Sequence, residues 1–450
     1  MTTIFWFRRD LRLADNIALN AAIEASPDGQ VAPFYAAESK VFYELEGIRQ
    51  HSIFESLVAL DASLDGNLTV SNDAAWTALP KLAQVNGIKS VFATRAFDPE
   101  GVAEQNRVGE ALAALAISLE LRDSYYAVLP GTVAKSDLTP YRVYTPFYRA
   151  WRELGWQQPA ALAPGATWLK LGAGTEKLKP NKPAPFKVIA GEHFALRTWA
   201  RFQKRALYTY DELRNRADLS GTSHLSHALA FGEIHPRTLL AELAEVPGHD
   251  VFRKEIAWRE FYADVLWHNP QTTTEYYEPR FAQMRYDEGE RADERLAAWQ
   301  QGKTGYPMVD AGMRQLLATG WMHNRVRMIV ASFLVKDLHI EWQHGASWFE
   351  RHVSDFDPAS NAHGWQWTAG CGTDASPYFR VFNPVLQGYK FDPNGDYVRR
   401  YIPELAHISG PEVHEPWALI DGMAGGYVAP IVDHSQERDE ALRRLEEIKR

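Results

Sequence analysis

Three short stretches between residues 250 and 370 combine side chains that could do chemistry on a polar ring system. Glu255 and Trp258 stand three apart, so on a helix they share a face. A carboxyl beside an indole offers a hydrogen bond and a stacking surface together. Asn324 and Met328 stand four apart in Trp321-Met-His-Asn-Arg-Val-Arg-Met328, again on one face, with Arg325 and Arg327 beside them for phosphates. Asp355-Phe-Asp357 leads into Asn361 and then Trp365-Gln-Trp367. Acids, an amide and two indoles at that density suit a polar ring bound in an apolar pocket. Most of the tryptophans in this window read as core residues of a helical domain.

Other patterns do not carry chemistry. Gly302-Lys303-Thr304 resembles the end of a phosphate loop, but Ala297 stands where that motif needs glycine and the stretch follows a helix rather than a strand. His224, His227, His344 and His352 lack metal-ligand spacing, so no metal site is expected. There is no G-x-S-x-G elbow and no H-E-x-x-H.

The elements that must position these residues fall into two textures. The first 125 or so residues alternate strand and helix: strands at 4–7, 31–35, 68–70, 90–93 and 119–121, helices at 15–25, 49–62, 76–85 and about 100–116. Such alternation predicts an α/β domain with a doubly wound parallel sheet, although no G-x-G-x-x-G follows the first strand. Eight prolines between 130 and 185 predict a long surface connector, with a short helix around 147–154. From about 190 the pattern is helical: 195–208, 236–245, 251–267, 292–301, 308–319, 325–337, 342–352 and a charged last helix at 436–450.

Composition bounds the function classes. Hydrophobic residues are 46% and charged residues 23% of the 450, as in ordinary globular proteins; a disordered or fibrous chain is excluded. A net charge of −9 excludes a wholly basic nucleic-acid coat but not a local basic groove. A lone cysteine, Cys371, excludes an internal disulfide framework. No run reaches the ~18 apolar residues of a membrane helix. Arg8-Arg9 is followed by Asp15, Asn16 and Glu24 rather than an apolar core, so it is not an export signal, and a cytoplasmic location is expected.

The motifs, taken jointly, resemble the DNA photolyase/cryptochrome family, most nearly the class I enzymes for cyclobutane pyrimidine dimers. The matching pieces are Phe7-Arg-Arg-Asp-Leu-Arg12 with Asp15-Asn16, Thr222-Ser-His-Leu-Ser226, Glu255-Ile-Ala-Trp-Arg-Glu-Phe-Tyr262, Thr304-Gly-Tyr-Pro-Met-Val-Asp310, Gly320-Trp-Met-His-Asn-Arg325 and Asn361-Ala-His-Gly-Trp-Gln-Trp367. The likeness extends over nearly the whole chain. It implies an antenna domain at 1–129, the connector at 130–190, and a mostly α-helical domain at 191–450 that binds FAD and DNA. The implied activity is that of a light-driven carbon–carbon lyase acting on pyrimidine dimers in damaged DNA, as a monomer with no membrane partner. Photolyases are known base-flipping proteins, and a dimer stacks and pairs poorly, so extruding it costs less than extruding normal bases.

The resemblance assigns roles residue by residue. Tyr210, Thr222, Ser223, His224, Leu225 and Ser226 are implied near FAD, the hydroxyls holding its phosphates; Trp321, Asn324, Arg327, Asp355 and Asp357 are further cofactor contacts. Asn361 is implied beside flavin N5, where an amide adds no charge against an anionic reduced flavin. Glu255 is implied at the dimer's carbonyl and N–H edge, Trp258 and Trp367 as its indole walls, and Asn324 and Met328 as the rest of that pocket. Arg214, Arg325, Gln387 and Lys390 are implied DNA contacts. Trp365 and Trp342 are the inner and middle members of a tryptophan chain that photoreduces FAD. The outer position holds Gly289, with Tyr286 nearby as a substitute. His227 and His235 depart from the family pattern, and Phe97-Asp-Pro-Glu-Gly101 lacks the folate-contacting Asn-Glu pair of some members. A deazaflavin, folate or flavin antenna all stay open. Asn324 and Met328 replace the histidine pair expected for (6–4) photoproduct repair. Asn361, Trp367, Glu255 and Trp258, together with the lack of a long tail, argue against a cryptochrome-like photoreceptor.

Overall fold

The run Thr3–Phe7 is buried at every position, which requires a strand covered on both faces. In the computed structural model, which describes residues 2–172, 178–373 and 379–449, that strand is β1. The others are β2 (Gln30–Ala36), β3 (Thr69–Ser71), β4 (Ser90–Thr94), β5 (Ser118–Arg122) and β6 (Thr167–Trp168). The helices are α1 (Ile17–Glu24), α2 (Ser39–Glu44), α3 (Gly47–Ser63), α4 (Ala75–Val85), α5 (Pro99–Ala113), α6 (Tyr144–Leu154), α7 (Glu192–Arg205), α8 (Tyr210–Leu213), α9 (Ser226–Ala230), α10 (Pro236–Ala241), α11 (Pro247–His268), α12 (Glu290–Gln300), α13 (Pro307–Thr319), α14 (Asn324–Lys336), α15 (Trp342–His352), α16 (Pro358–Ala369), α17 (Pro384–Phe391), α18 (Asp396–Tyr401) and α19 (His434–Glu447). Two compact units form: residues 1–205 with 223–270, and residues 206–222 with 271–450.

In the first unit the strands are parallel in the order β3-β2-β1-β4-β5, with β6 also on β2. Side chains of β1 alternate between two cores: Phe5 and Phe7 pack with α1 and α3 residues such as Leu19 and Leu57, Ile4 and Trp6 with α4 and α5 residues such as Leu79 and Val108. Pro33 sits inside β2 because the outer side of that strand changes partner there. Residues 30–31 pair with β6 and residues 34–36 with β3, so the missing N–H falls in the gap. The proline-rich stretch 130–190 is more than a surface connector. It supplies α6, whose Phe147 and Trp151 are buried, and strand β6; residues 173–177 lie outside the described residues.

Buried ions fix the rest of this unit. Arg237 bonds Asp123 and Asp15, so the Asp15-Asn16 motif is structural, Asn16 capping α1 by accepting from Leu19 N at 3.0 Å. Glu260, buried on α11, accepts from Ala127 N, Val128 N and Trp151 Nε1 at 2.5, 3.1 and 2.6 Å. Asp264, one turn on, accepts from Gly131 N at 2.7 Å. These bonds clamp α11 to the start of the connector.

The second unit is helical around α14, which is buried on nearly every side. Asp310, buried in α13, accepts from Thr304 N and Oγ1 at 2.7 Å each, Gly305 N at 3.0 Å and Tyr427 Oη at 2.5 Å. The Thr304–Asp310 motif is therefore an architectural clamp. Helical periodicity does not single out α16, because it buries residues all round, including Ala359, Ala362, His363, Trp365, Gln366 and Ala369, and so has no polar stripe. At the end of α14, Lys336 donates Nζ to Arg380 O at 2.6 Å, and burial lowers its ammonium pKa to about 7. Between that value and the ordinary 10.5 the unfolded chain binds a proton that the folded chain does not, so stability rises with pH across that window. In thermal melts from pH 7 to 10, Lys336→Met should flatten that rise relative to the unaltered protein.

Candidate active site

The site residues of the second unit are set by how α16 lies on α15. Asn361 Nδ2 donates to Ala346 O at 3.1 Å, so the amide nitrogen is committed to α15. One turn along α16, the benzo ring of Trp365 occupies the space where a Cβ on Gly345 would stand. Gly345 and Ala346 thus form a flat seat, and a glycine inside a helix is the sequence signal of such close approach. Trp365 packs further against Phe349 and Trp299, at centroid distances of 5.1 and 6.1 Å.

The amide assignment decides what Asn361 can offer. With Nδ2 on a carbonyl, Oδ1 remains as an acceptor, which suits the N5–H of a reduced flavin. Asp355 points the same way. Its Oδ2 pairs with Arg327 Nη2 at 2.7 Å, Arg327 Nε is held by Met322 O at 2.8 Å, and Oδ1 is buried with no partner among the described residues. A buried carboxylate oxygen left over in this way fits a ligand donor such as a ribose hydroxyl or a ring N–H. Asp357 is first a cap, accepting from Ser360 N at 2.8 Å to start α16. The residues present therefore fit a flavin.

A second group gathers at the start of α14. Asn324, Arg325 and Met328 lie within its first two turns. Arg325 donates to Asn215 Oδ1 at 3.1 and 2.8 Å, which brings it beside Arg214, the residue that ends α8. Its guanidinium lies 4.6 Å from the Phe391 ring, and Lys390 Nζ lies 5.4 Å from the same ring. Arg325 and Lys390, far apart in sequence, thus meet at one ring, with Gln387 on the same helix as Lys390 and Arg214 next in sequence to Asn215. Tyr210 is buried at the start of α8, and Trp321 follows the left-handed Gly320 that ends α13. Trp367 lines a cavity of about 110 Å³ together with Arg280, Phe281, Lys336, Phe379 and Arg380; small-molecule sites run to roughly 300–1,000 Å³, so this cavity is not the seat of a flavin.

The first unit carries the remaining site residues. Glu255 and Trp258 lie on α11, two turns or less before the Glu260 clamp. Tyr144 stacks on Trp258 with centroids 3.7 Å apart and planes within 8°, and its hydroxyl donates to Lys254 O at 2.8 Å. One face of Trp258 is therefore covered, and a ligand can use only the other. Ser223 to Leu225 form the turn into α9, with Ser223 Oγ accepting from Leu225 N at 3.3 Å, His224 left-handed at φ 54° and Ser226 opening the helix. Asp98, in the stretch that lacks the folate pair, caps α5 by accepting from Gly101 N at 2.9 Å.

Known proteins match this arrangement throughout. Residues 3–164 match the DNA photolyase family and residues 252–447 the FAD binding domain of DNA photolyase. A deoxyribodipyrimidine photo-lyase of Agrobacterium fabrum is 40% identical over 98% of this chain and 96% of its own length. The chain belongs to the DNA photolyase family. Among solved structures, a class III photolyase of Agrobacterium tumefaciens is similar over 100% of this chain and 98% of its own, with TM-score 0.91 and 38% identity. That match corrects the class I likeness expected from the motifs. A cryptochrome of Synechocystis is similar over 98% of both chains, with TM-score 0.88 and 26% identity, so among photolyase-family chains the fold alone does not separate repair from sensing.

Sequence reasoning missed Gly345, Ala346 and Tyr144, which touch the predicted residues from neighbouring helices. If the Gly345 seat positions Trp365, Gly345→Ala should overpack the contact and destabilise the protein by about 1–3 kcal/mol, read as a lower Tm, whereas alanine would otherwise favour a helix.

Proposed function

We propose that this photolyase-family chain splits cyclobutane pyrimidine dimers in DNA under light, as a deoxyribodipyrimidine photo-lyase using reduced FAD. When bound, reduced FAD supplies the photoexcited electron that opens the cyclobutane ring. The chain's own residues bind, orient and protect. Asn361 presents Oδ1 to the flavin without adding charge, Asp355 takes a ligand donor, and Arg327 neutralises Asp355. Tyr210, Thr222, Ser223, His224, Leu225, Ser226 and Trp321 make the other cofactor contacts. Glu255 hydrogen-bonds the carbonyl and N–H edge of the dimer, and a carboxyl proton there stabilises negative charge as it develops. In the first unit Trp258, stiffened by Tyr144, offers a flat face to a ring, and in the second unit Trp367, Asn324 and Met328 are the proposed substrate contacts.

The observation that carries this reading is the Asn361–Ala346 bond, which leaves an uncharged acceptor one turn before the Trp365 indole on α16 and shortly after the Asp355 carboxylate in sequence. Asn324 and Met328 favour dimers over (6–4) photoproducts, because that chemistry needs a proton donor that neither side chain supplies. Illuminating the flavin-loaded protein with dimer-containing oligothymidine tests the reading. Thymine absorbance should recover in the light and not in the dark; no recovery with flavin bound and reduced would favour a sensor. Glu255→Ala should lower that repair yield while leaving FAD bound, and loss of FAD in this variant would mean that Glu255 serves the cofactor instead.

The proposed DNA contacts are cationic despite the net charge of −9: Arg214, Arg325 and Lys390. Three phosphate contacts give a slope of about −2.7 for log K against log salt. Arg325→Ala should weaken binding across sequences and reduce that slope by about 1, as read by fluorescence anisotropy on dimer-containing duplex.

A further inference from the structure

Trp342 opens α15 and is fully buried, and its indole N–H has no hydrogen-bond partner among the described residues. Trp342 stands one turn before Gly345, the seat of Trp365. Its ring meets Tyr276 edge-on, with centroids 6.2 Å apart and planes at 79°. Tyr276 is itself buried, and its hydroxyl donates to Glu341 Oε1 at 2.6 Å. Tyr286, a half-buried phenol, is a neighbour of Tyr276.

These two rings differ in what they can do with a missing electron. An indole whose N–H faces no base keeps its proton when oxidised and stays a cation radical, ready to take an electron back. A phenol becomes a strong acid when oxidised, and one already bonded to a carboxylate transfers its proton along that bond. We propose that Tyr276, with Glu341 as its proton acceptor, is the terminal electron donor of this photolyase-family chain when its flavin is photoreduced. The inference rests on the flavin reading above and on Trp365 and Trp342 as the inner rings, and it gives the outer position, where the sequence holds Gly289, to a residue on a different segment.

The balance is as follows. Were an electron drawn from the inner rings toward a bound, photoexcited flavin, Trp342 would be left one electron short. One electron then passes from Tyr276 to Trp342, restoring the neutral indole. The Tyr276 O–H bond breaks and its proton forms an O–H bond on Glu341. On this chain the products are a neutral tyrosyl radical and a protonated Glu341, the electron having left through Trp342. An added thiol returns an electron to the radical, and a proton returns to the phenolate.

The test uses flavin-loaded protein without DNA, under blue light with a thiol, in H₂O and D₂O, followed by transient absorption and electron paramagnetic resonance. The unaltered protein should show a neutral tyrosyl radical whose formation slows in D₂O. Tyr276→Phe should lose that signal and accumulate little reduced flavin while keeping its flavin content. Glu341→Gln should form the radical more slowly, and Tyr286→Phe should still form it. A tyrosyl signal that survives in Tyr276→Phe, or that disappears in Tyr286→Phe instead, overturns the assignment; so does an unchanged rate and isotope effect in Glu341→Gln. Those failures would leave the repair reading intact, whereas a chain that takes up no flavin would sink both.

Discussion

The contact between α15 and α16 is the constraint on which the second unit's chemistry depends. Gly345 has no side chain, so the benzo edge of Trp365 closes onto α15, and Ala346 gives its carbonyl to Asn361. The first fixes a large ring close to the helix backbone. The second turns an amide that could donate or accept into one that accepts. Neither effect is large in energy: a neutral hydrogen bond contributes about 1 kcal/mol net. Their value is in position, because a cofactor site needs its polar groups held to a fraction of an ångström.

Around that contact, buried charges do the holding. Asp355 is paired by Arg327 and keeps one oxygen in reserve. Asp310 satisfies four donors and fixes the turn into α13, next to α14. In the first unit, Glu260 and Asp264 tie α11 to residues 127–131, and Arg237 ties Asp15 to Asp123. Buried charges of this kind are weak as sources of net stability, since desolvation opposes them. They are strong as locators, because an unpaired alternative is costly. Burial likewise accounts for Lys336, whose ammonium meets the Arg380 carbonyl and the Phe379 ring and whose pKa comes down to about 7.

Much of this was legible in the sequence, for definite reasons. Strands β1 to β5 and helices α1, α3, α4 and α5 follow from alternation of apolar runs, with bounds that differ from the expected ones by a few residues, as with 90–93 against Ser90–Thr94, whereas α2 and β6 do not. The pairs Glu255/Trp258 and Asn324/Met328 fall on helices because their spacing already matched one. What stayed hidden depends on contacts between segments distant in sequence. Gly345 reads as an ordinary helix weak point until Trp365 is seen on it. Arg325 and Lys390 come together only at the Phe391 ring. The connector reads as irregular because its prolines dominate, while Glu260 captures Trp151 from it. Asp15-Asn16 was quoted as a motif with no role, and its role is an ion pair with Arg237, more than two hundred residues away.

The central claim is that α14, α15 and α16 are shaped to hold one flavin. The most direct measurement is the absorption spectrum of the purified chain after incubation with FAD and removal of the excess. The account predicts a yellow protein with one flavin per chain, its band bleaching on chemical reduction. A colourless protein that retains no flavin would contradict it.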